Sequence, residues 1–97
     1  MKILHLTVER RWFDLIASGE KHEEYREIKP YWAKRIENRN YDEIHFRNGY
    51  RKGAPFMRVV YRGWKFGTWQ GKRVYALHLG PILEVRWGTA ITISAYE

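Results

Sequence analysis

Cysteine is absent from this chain of 97 residues, and serine, proline and long apolar runs are scarce. Without cysteine the chain can form neither a disulfide framework nor a thiolate metal site, and it has no thiol nucleophile. No apolar stretch approaches the ~20 residues that a membrane helix needs. Charged side chains interrupt residues 1–18, so the apolar run of a signal peptide is missing as well. We therefore expect a soluble, cytoplasmic protein with no membrane partner.

Acidic residues are missing from residues 44–83, while basic and aromatic residues are mixed throughout that range. Nine of the eleven acids lie between Glu9 and Glu43, and the whole chain carries a formal net charge of +7. Cations follow phosphates and rings stack on bases, so the mixture favours a nucleic-acid partner. The plainer interpretation is a basic, solubilising surface over a β-core rich in aromatic residues. The cations are Arg47, Arg51, Lys52, Arg58, Arg62, Lys65, Lys72 and Arg73, and the rings are Phe46, Tyr50, Phe56, Tyr61, Trp64, Phe66 and Trp69, with Tyr75 as an eighth.

The spacing of apolar residues predicts two early helices followed by short strands. Val8, Trp12 and Ile16 fall on one face of the first helix. Thr7 can cap its N-terminus, and Pro30 suits the first position of the second helix. Strands are expected at residues 2–6, 22–28, 42–46, 56–64, 74–79, 82–87 and 90–95, with breaks at Gly63, Gly67, Gly71 and Gly80-Pro81. This pattern indicates one α+β domain over residues 1–97, built as a small mixed β-barrel.

A polar motif, G-x-K-x-x-E-x-R, follows the first helix directly. Gly19 can end that helix in a left-handed turn, because it has no Cβ to clash. In an extended chain side chains alternate, so Glu24 and Arg26 point to the same face. With Lys21 at the mouth of the strand, the motif predicts a site for an anion or polar ligand. The alternative is a structural ion pair that seals one end of the domain.

These four residues resemble the signature of the ASCH family, relatives of the PUA-like RNA-binding barrels. The resemblance implies a PUA-like mixed β-barrel flanked by two short N-terminal helices. It also implies an RNA- or nucleotide-binding module with a polar cleft next to the first helix.

The same resemblance implies an alternative function, because the family includes hydrolases. Lys21 and Glu24 are then the catalytic candidates of a metal-independent hydrolase that acts on RNA or on a modified nucleoside. In relatives that act on acetylated cytidine, a catalytic Lys at this motif position is followed by a nucleophilic Thr. Here His22 follows Lys21. Imidazole cannot replace a hydroxyl nucleophile without a change of mechanism, which argues against the amidohydrolase activity.

The remaining ligand-binding candidates lie in the basic half of the chain. Residues 46–51 combine an amide that can read a base edge with a ring that can stack, although Asn-Gly also suits an ordinary hairpin loop. Two tryptophans flank a lysine further along and could stack bases. The full set of ligand-binding candidates is Arg26, His22, Asn48, Tyr50, Arg51, Trp64, Lys65 and Trp69.

The histidine spacing argues against a metal site. No two of the four histidines are three to five residues apart, so neither a metal nor another cofactor is expected. A third possibility for the whole chain is a protein-interaction domain, with its basic face docked on an acidic partner.

Overall fold

Seven elements make up the fold in the computed structural model, which describes residues 1–88. The predicted strand at residues 90–95 lies outside the described residues. The α+β class and the two early helices are confirmed. The strands are β1 (Ile3–Thr7), β2 (Glu23–Glu27), β3 (Glu43–Arg47), β4 (Phe56–Trp69) and β5 (Lys72–Arg86), and the helices are α1 (Arg10–Ala17) and α2 (Pro30–Ile36).

The five strands form one open mixed sheet in the order β1-β3-β4-β5-β2. β1 runs parallel to β3, and all other neighbours are antiparallel. β1 and β2 are therefore the two edges of the sheet, and the predicted β-barrel is wrong. Within residues 1–88, these edges are connected by a side chain rather than by backbone hydrogen bonds. The guanidinium of Arg26 extends from β2 and donates to the carbonyl of Thr7 on β1, at 3.1 Å.

The first helix begins later than its sequence predicts. Thr7 is the last residue of β1 rather than a helix cap, because the backbone pairing with β3 continues past it. The amide of Val8 donates to the carbonyl of Arg47 at 2.9 Å. The helix then starts at Arg10, after an extended Glu9 that makes no side-chain cap hydrogen bond.

One apolar core lies between the sheet and the two helices. α1 contributes Phe13 and Ile16, while its Trp12 is only partly buried. Tyr75 is fully buried, and its hydroxyl donates to the carboxylate of Glu37. This hydrogen bond, together with burial, raises the pKa of Tyr75 to about 12. The core residues are Leu4, Leu6, Val8, Phe13, Ile16, Ile36, Ile44, Phe46, Met57, Val59, Tyr75 and Leu77.

The last two strands form a long antiparallel hairpin instead of several short strands. β5 continues through the expected break at Gly80-Pro81, because those two residues fall between the paired positions Leu79 and Ile82. Between the pairs Tyr61–Leu79 and Val59–Ile82, β5 has two residues where β4 has only one, which is a β-bulge. Pro81 therefore removes no hydrogen bond from a regular ladder. Further along β4, Gly63 adopts a φ of 89° beside another register shift, between Tyr61 and Trp64.

Candidate functional site

The motif after α1 forms a chain of charges across the inner face of β2. Gly19 ends α1 with a φ of 85°, and the following turn brings Lys21 beside the strand. Glu24 and Arg26 share one face of β2, as predicted, and Nη2 of Arg26 lies 2.9 Å from the Glu24 carboxylate. On the other side of that carboxylate, Nζ of Lys21 lies 3.5 Å away. Glu24 is buried, so the two cations compensate the cost of keeping its charge away from water.

Lys21 is held by aromatic rings as well as by Glu24. Its Nζ lies 4.4 Å from the ring centre of Tyr25 and 5.3 Å from that of Trp12. Trp69, at the tip of the β4–β5 hairpin, stacks on Tyr25 and meets Trp12 edge-on. Ring faces attract a cation, so these rings help to hold the Lys21 side chain in this position.

A cleft of about 750 Å³ lies beside α1, and we call it the helix cleft. The cleft contains charges of both signs, because the acids Glu20 and Glu23 line it together with Lys21 and Arg62. Glu23 is paired with His78 at 3.0 Å. Burial and the neighbouring Glu23 raise the pKa of Tyr25. The helix cleft is lined by Trp12, Leu15, Glu20, Lys21, His22, Glu23, Tyr25, Arg62, Trp69, His78 and Leu79.

A second cleft, of about 360 Å³, lies where the two edges of the sheet approach each other, and we call it the seam cleft. Among residues 1–88, no Asp or Glu lines it. α2 closes one side with aromatic side chains, and the loop after β3 contributes Tyr50, which is 91% exposed. Its lining residues are His5, Leu6, Thr7, Arg26, Tyr31, Trp32, His45, Arg47 and Tyr50.

The two arginines of the seam cleft keep unused hydrogen-bond donors. Arg26 uses only Nη2, for Glu24 and Thr7, while Nε and Nη1 make no hydrogen bond among residues 1–88. Trp32 fixes the plane of this guanidinium, which lies 4.9 Å from its ring centre. The guanidinium of Arg47 lies 4.8 Å from the ring centre of Phe56 and has no acidic partner in the described part of the chain.

A buried carboxylate lies behind the seam cleft. Glu43 on β3 accepts two hydrogen bonds from Arg58, both at 2.9 Å. It also accepts one from Nε2 of His45, at 2.9 Å. The bonds from Arg58, followed by the bond from His45, lower the pKa of Glu43 to about 2. Glu43 also raises the pKa of Arg58.

Sequence reasoning missed three residues of this region: His5, His45 and Glu43. Their spacing held a usable signal, because Glu43 and His45 lie two apart on a predicted strand and so share a face. The sequence did not show that β1 pairs with this strand, because β1 lies about 40 residues earlier in the chain. The parallel pairing places His5 directly opposite His45.

The residues predicted from the sequence are divided among several places. Lys21 and His22 line the helix cleft, whereas Arg26 lines the seam cleft. Glu24 connects the two cations and lines neither cleft, so a ligand in either one does not meet its carboxylate directly.

The remaining predicted residues do not form one site. Tyr50 lines the seam cleft, and Trp69 lines the helix cleft. Asn48 holds the chain entering α1, because its Nδ2 donates to the carbonyl of Val8 at 3.0 Å. Trp64 packs against the core. Arg51 and Lys65 are exposed and line neither cleft.

Within residues 1–88, no group of three or more His, Asp or Glu side chains is arranged to hold a metal ion. Over the same residues, no helix has the length and apolarity required to pass through a bilayer. Compared with protein-family models, curated protein sequences and solved structures, the chain matches none.

Proposed function

We propose that this chain is an ASCH-type module that binds RNA or a nucleotide-like ligand, and that the seam cleft holds one nucleotide of it. The proposal is carried by the lining of that cleft, which combines two arginines with three aromatic side chains and, in the described part of the chain, has no acid. Arginine recognises phosphate through paired N–H groups, and aromatic rings stack on bases.

The available donors support a phosphate contact in this cleft. Arg26 is fixed by Glu24 and by the ring of Trp32, so its free Nη1 is already oriented before a ligand arrives. Holding a group in its bound geometry lowers the entropy cost of binding. Arg47 adds a second cation with no acidic partner among residues 1–88.

The size of the cleft supports a single nucleotide as its occupant. About 360 Å³ lies near the lower end of the ~300–1,000 Å³ that ligand pockets span. Tyr50 stands almost free in solvent at the rim, where a base of an unstacked strand can reach its ring. The rest of a strand would extend over the basic surface outside the cleft.

Binding of a fluorescent single-stranded RNA, followed by anisotropy at ~50 and ~200 mM salt, tests the proposal. We expect affinity to fall steeply with salt, because phosphate contacts release counterions. Arg47→Ala should lower the salt slope by about 1, and Tyr50→Ala should cost about 1–3 kcal/mol of binding free energy through lost stacking.

The matched control is Arg73→Ala, which removes the same charge from the β4–β5 hairpin outside the seam cleft. Its loss of affinity should be smaller than that of Arg47→Ala. Absence of RNA binding at ~50 mM salt, or equal losses for the two arginine variants, would contradict the proposal.

A further inference from the structure

Two histidines from neighbouring strands meet in the seam cleft. His5 on β1 and His45 on β3 are register partners in the parallel pair, and their ring centres lie 5.4 Å apart, with the ring planes at 86°. Both rings line the cleft. His5 makes no hydrogen bond within residues 1–88, so both of its ring nitrogens are available to a ligand.

His45 is held in one tautomer by the carboxylate behind it. The ionised carboxylate of Glu43 can only accept a hydrogen bond, so Nε2 of His45 must carry the proton between them. In the neutral ring, Nδ1 then keeps its lone pair. No residue among 1–88 donates to Nδ1, which leaves it free to accept a proton. Arg58 holds the carboxylate itself through two hydrogen bonds.

We propose that His45 and His5 are the general base and general acid of a metal-independent RNA-cleaving site in the seam cleft. This inference rests on the proposed function, since it requires an RNA strand in that cleft. It assigns chemistry to histidines instead of Lys21 and Glu24, the candidates taken from the sequence. A carboxylate that orients a histidine, which in turn faces the substrate, is an arrangement suited to proton transfer.

The reaction balances with no other reactant. Nδ1 of His45 takes the proton of a ribose 2′-OH as its oxygen attacks the adjacent phosphorus. The bond from phosphorus to the 5′-oxygen of the next nucleotide breaks, and protonated His5 gives its proton to that leaving oxygen. The products are a 2′,3′-cyclic phosphate and a free 5′-OH. Entering and leaving oxygens lie on opposite sides of phosphorus, which explains the need for two separate proton-transfer groups.

The surroundings of the two rings suit this transition state. Negative charge grows on the non-bridging phosphate oxygens, and Arg26 and Arg47 are the cations that line the same cleft. Among residues 1–88, the titratable and charged groups that line the seam cleft with the two histidines are Arg26 from β2, Tyr31 from α2, Arg47 from β3 and Tyr50 from the loop after β3. Glu43 from β3 is hydrogen-bonded to His45, and Arg58 from β4 is hydrogen-bonded to Glu43.

The test uses the intact protein and an end-labelled single-stranded RNA in excess chelator, with cleavage products identified by their termini. We expect cyclic phosphate ends and a cleavage rate that passes through a maximum with pH, because one ring must be neutral while the other is protonated. His45→Ala and His5→Ala should each lower the rate about 10²–10⁴-fold, the usual contribution of a general acid or base.

Glu43 is a positioning residue in this scheme. Glu43→Gln should lower the rate and change the pH at which it is highest, which a purely structural role would not do. The matched control is His78→Gln, which removes a histidine from the helix cleft and should leave the rate unchanged. DNA of the same sequence lacks the 2′-OH and should stay uncleaved.

Binding and cleavage are measured on the same samples, so the two proposals fail separately. RNA that binds with the salt dependence given above but is not cleaved would overturn the catalytic pair and leave the binding function standing. Cleavage that survives His45→Ala and His5→Ala equally well, in variants that still bind RNA, would also overturn it. Absence of RNA binding would overturn both proposals.

Discussion

At the scale of single residues, the buried charged side chains of residues 1–88 are two carboxylates, Glu24 and Glu43. Each is compensated by two basic groups: Lys21 and Arg26 for the first, Arg58 and His45 for the second. A buried carboxylate without such partners would be protonated or would destabilise the fold. These carboxylates therefore fix the positions of the basic side chains that reach the clefts.

Glu43 makes the stability of the protein depend on acid pH. Its pKa is about 2 in the folded state and about 4.5 when the chain is unfolded. Its stabilising contribution is therefore complete above about pH 4.5 and is lost as pH falls towards about 2. We expect Glu43→Gln to be less stable than the wild type at pH 7, and the difference between them to shrink over that window. Denaturant unfolding at a series of pH values measures this difference.

The control for this prediction is Glu84→Gln, which removes a more exposed partner of the same Arg58. Its difference from the wild type should vary less over the acid range. A difference for Glu43→Gln that stays constant from pH 7 to pH 2 would contradict the pKa assignment.

The sequence allowed correct predictions for residues whose contacts are with near neighbours in the chain. Glu24 and Arg26 lie two apart on one strand, so alternation alone places them on the same face. The face shared by His5 and His45 depends on the pairing of β1 with β3, which only the tertiary fold determines. The packing of Trp64, a base-stacking candidate from the sequence, against the core also depends on the tertiary fold.

At the scale of elements, the long β4–β5 hairpin is where local sequence signals and tertiary structure disagree. Gly63 and the Gly80-Pro81 pair are typical turn residues, so the sequence predicts breaks there. In the fold they lie at register shifts, where a bulge accommodates them without ending the strand. Gly80 also has little space, because a Cβ at this position would lie 2.7 Å from Nε of Arg62 and 3.1 Å from Cβ of Val60.

Gly80→Ala should therefore destabilise the protein by about 1–3 kcal/mol, the usual range for overpacking. Part of the clash is with the flexible side chain of Arg62, so the cost should be smaller in an Arg62→Ala background. A double-mutant cycle from denaturant unfolding gives this coupling. Equal costs in the two backgrounds would show that Arg62 does not limit the space at Gly80.

At the scale of the whole molecule, β1 and β2 are the two edges of the sheet within residues 1–88, and Arg26 connects them. The expectation of a barrel was wrong because strand count and turn spacing do not determine whether the first and last strands of a sheet pair. Between β1 and β2 the structure has the guanidinium of Arg26, bonded to Glu24 on one side and to the carbonyl of Thr7 on the other. This side chain joins the edges and also supplies a cation to the seam cleft.

Arg26→Met should cost about 3–5 kcal/mol of folding free energy, because it leaves the buried Glu24 with Lys21 alone. Amide exchange in β1 and β2 should accelerate more than in the central strand β4, since the link between the edges is lost. Hydrogen exchange and denaturant unfolding measure the two effects. Arg47→Met is the control: its side chain is exposed, and its stability should stay within about 0.5 kcal/mol of the wild type.

The position of Trp69 gives the protein an intrinsic optical reporter. Its indole lies at the hairpin tip, stacked on Tyr25 with ring centres 5.6 Å apart and 6.0 Å from the ring centre of Trp12. Emission from an indole is sensitive to such neighbours and to water, so undocking of the tip would alter its spectrum. Subtracting the spectrum of Trp69→Phe isolates this signal from the other four tryptophans, without any attached dye.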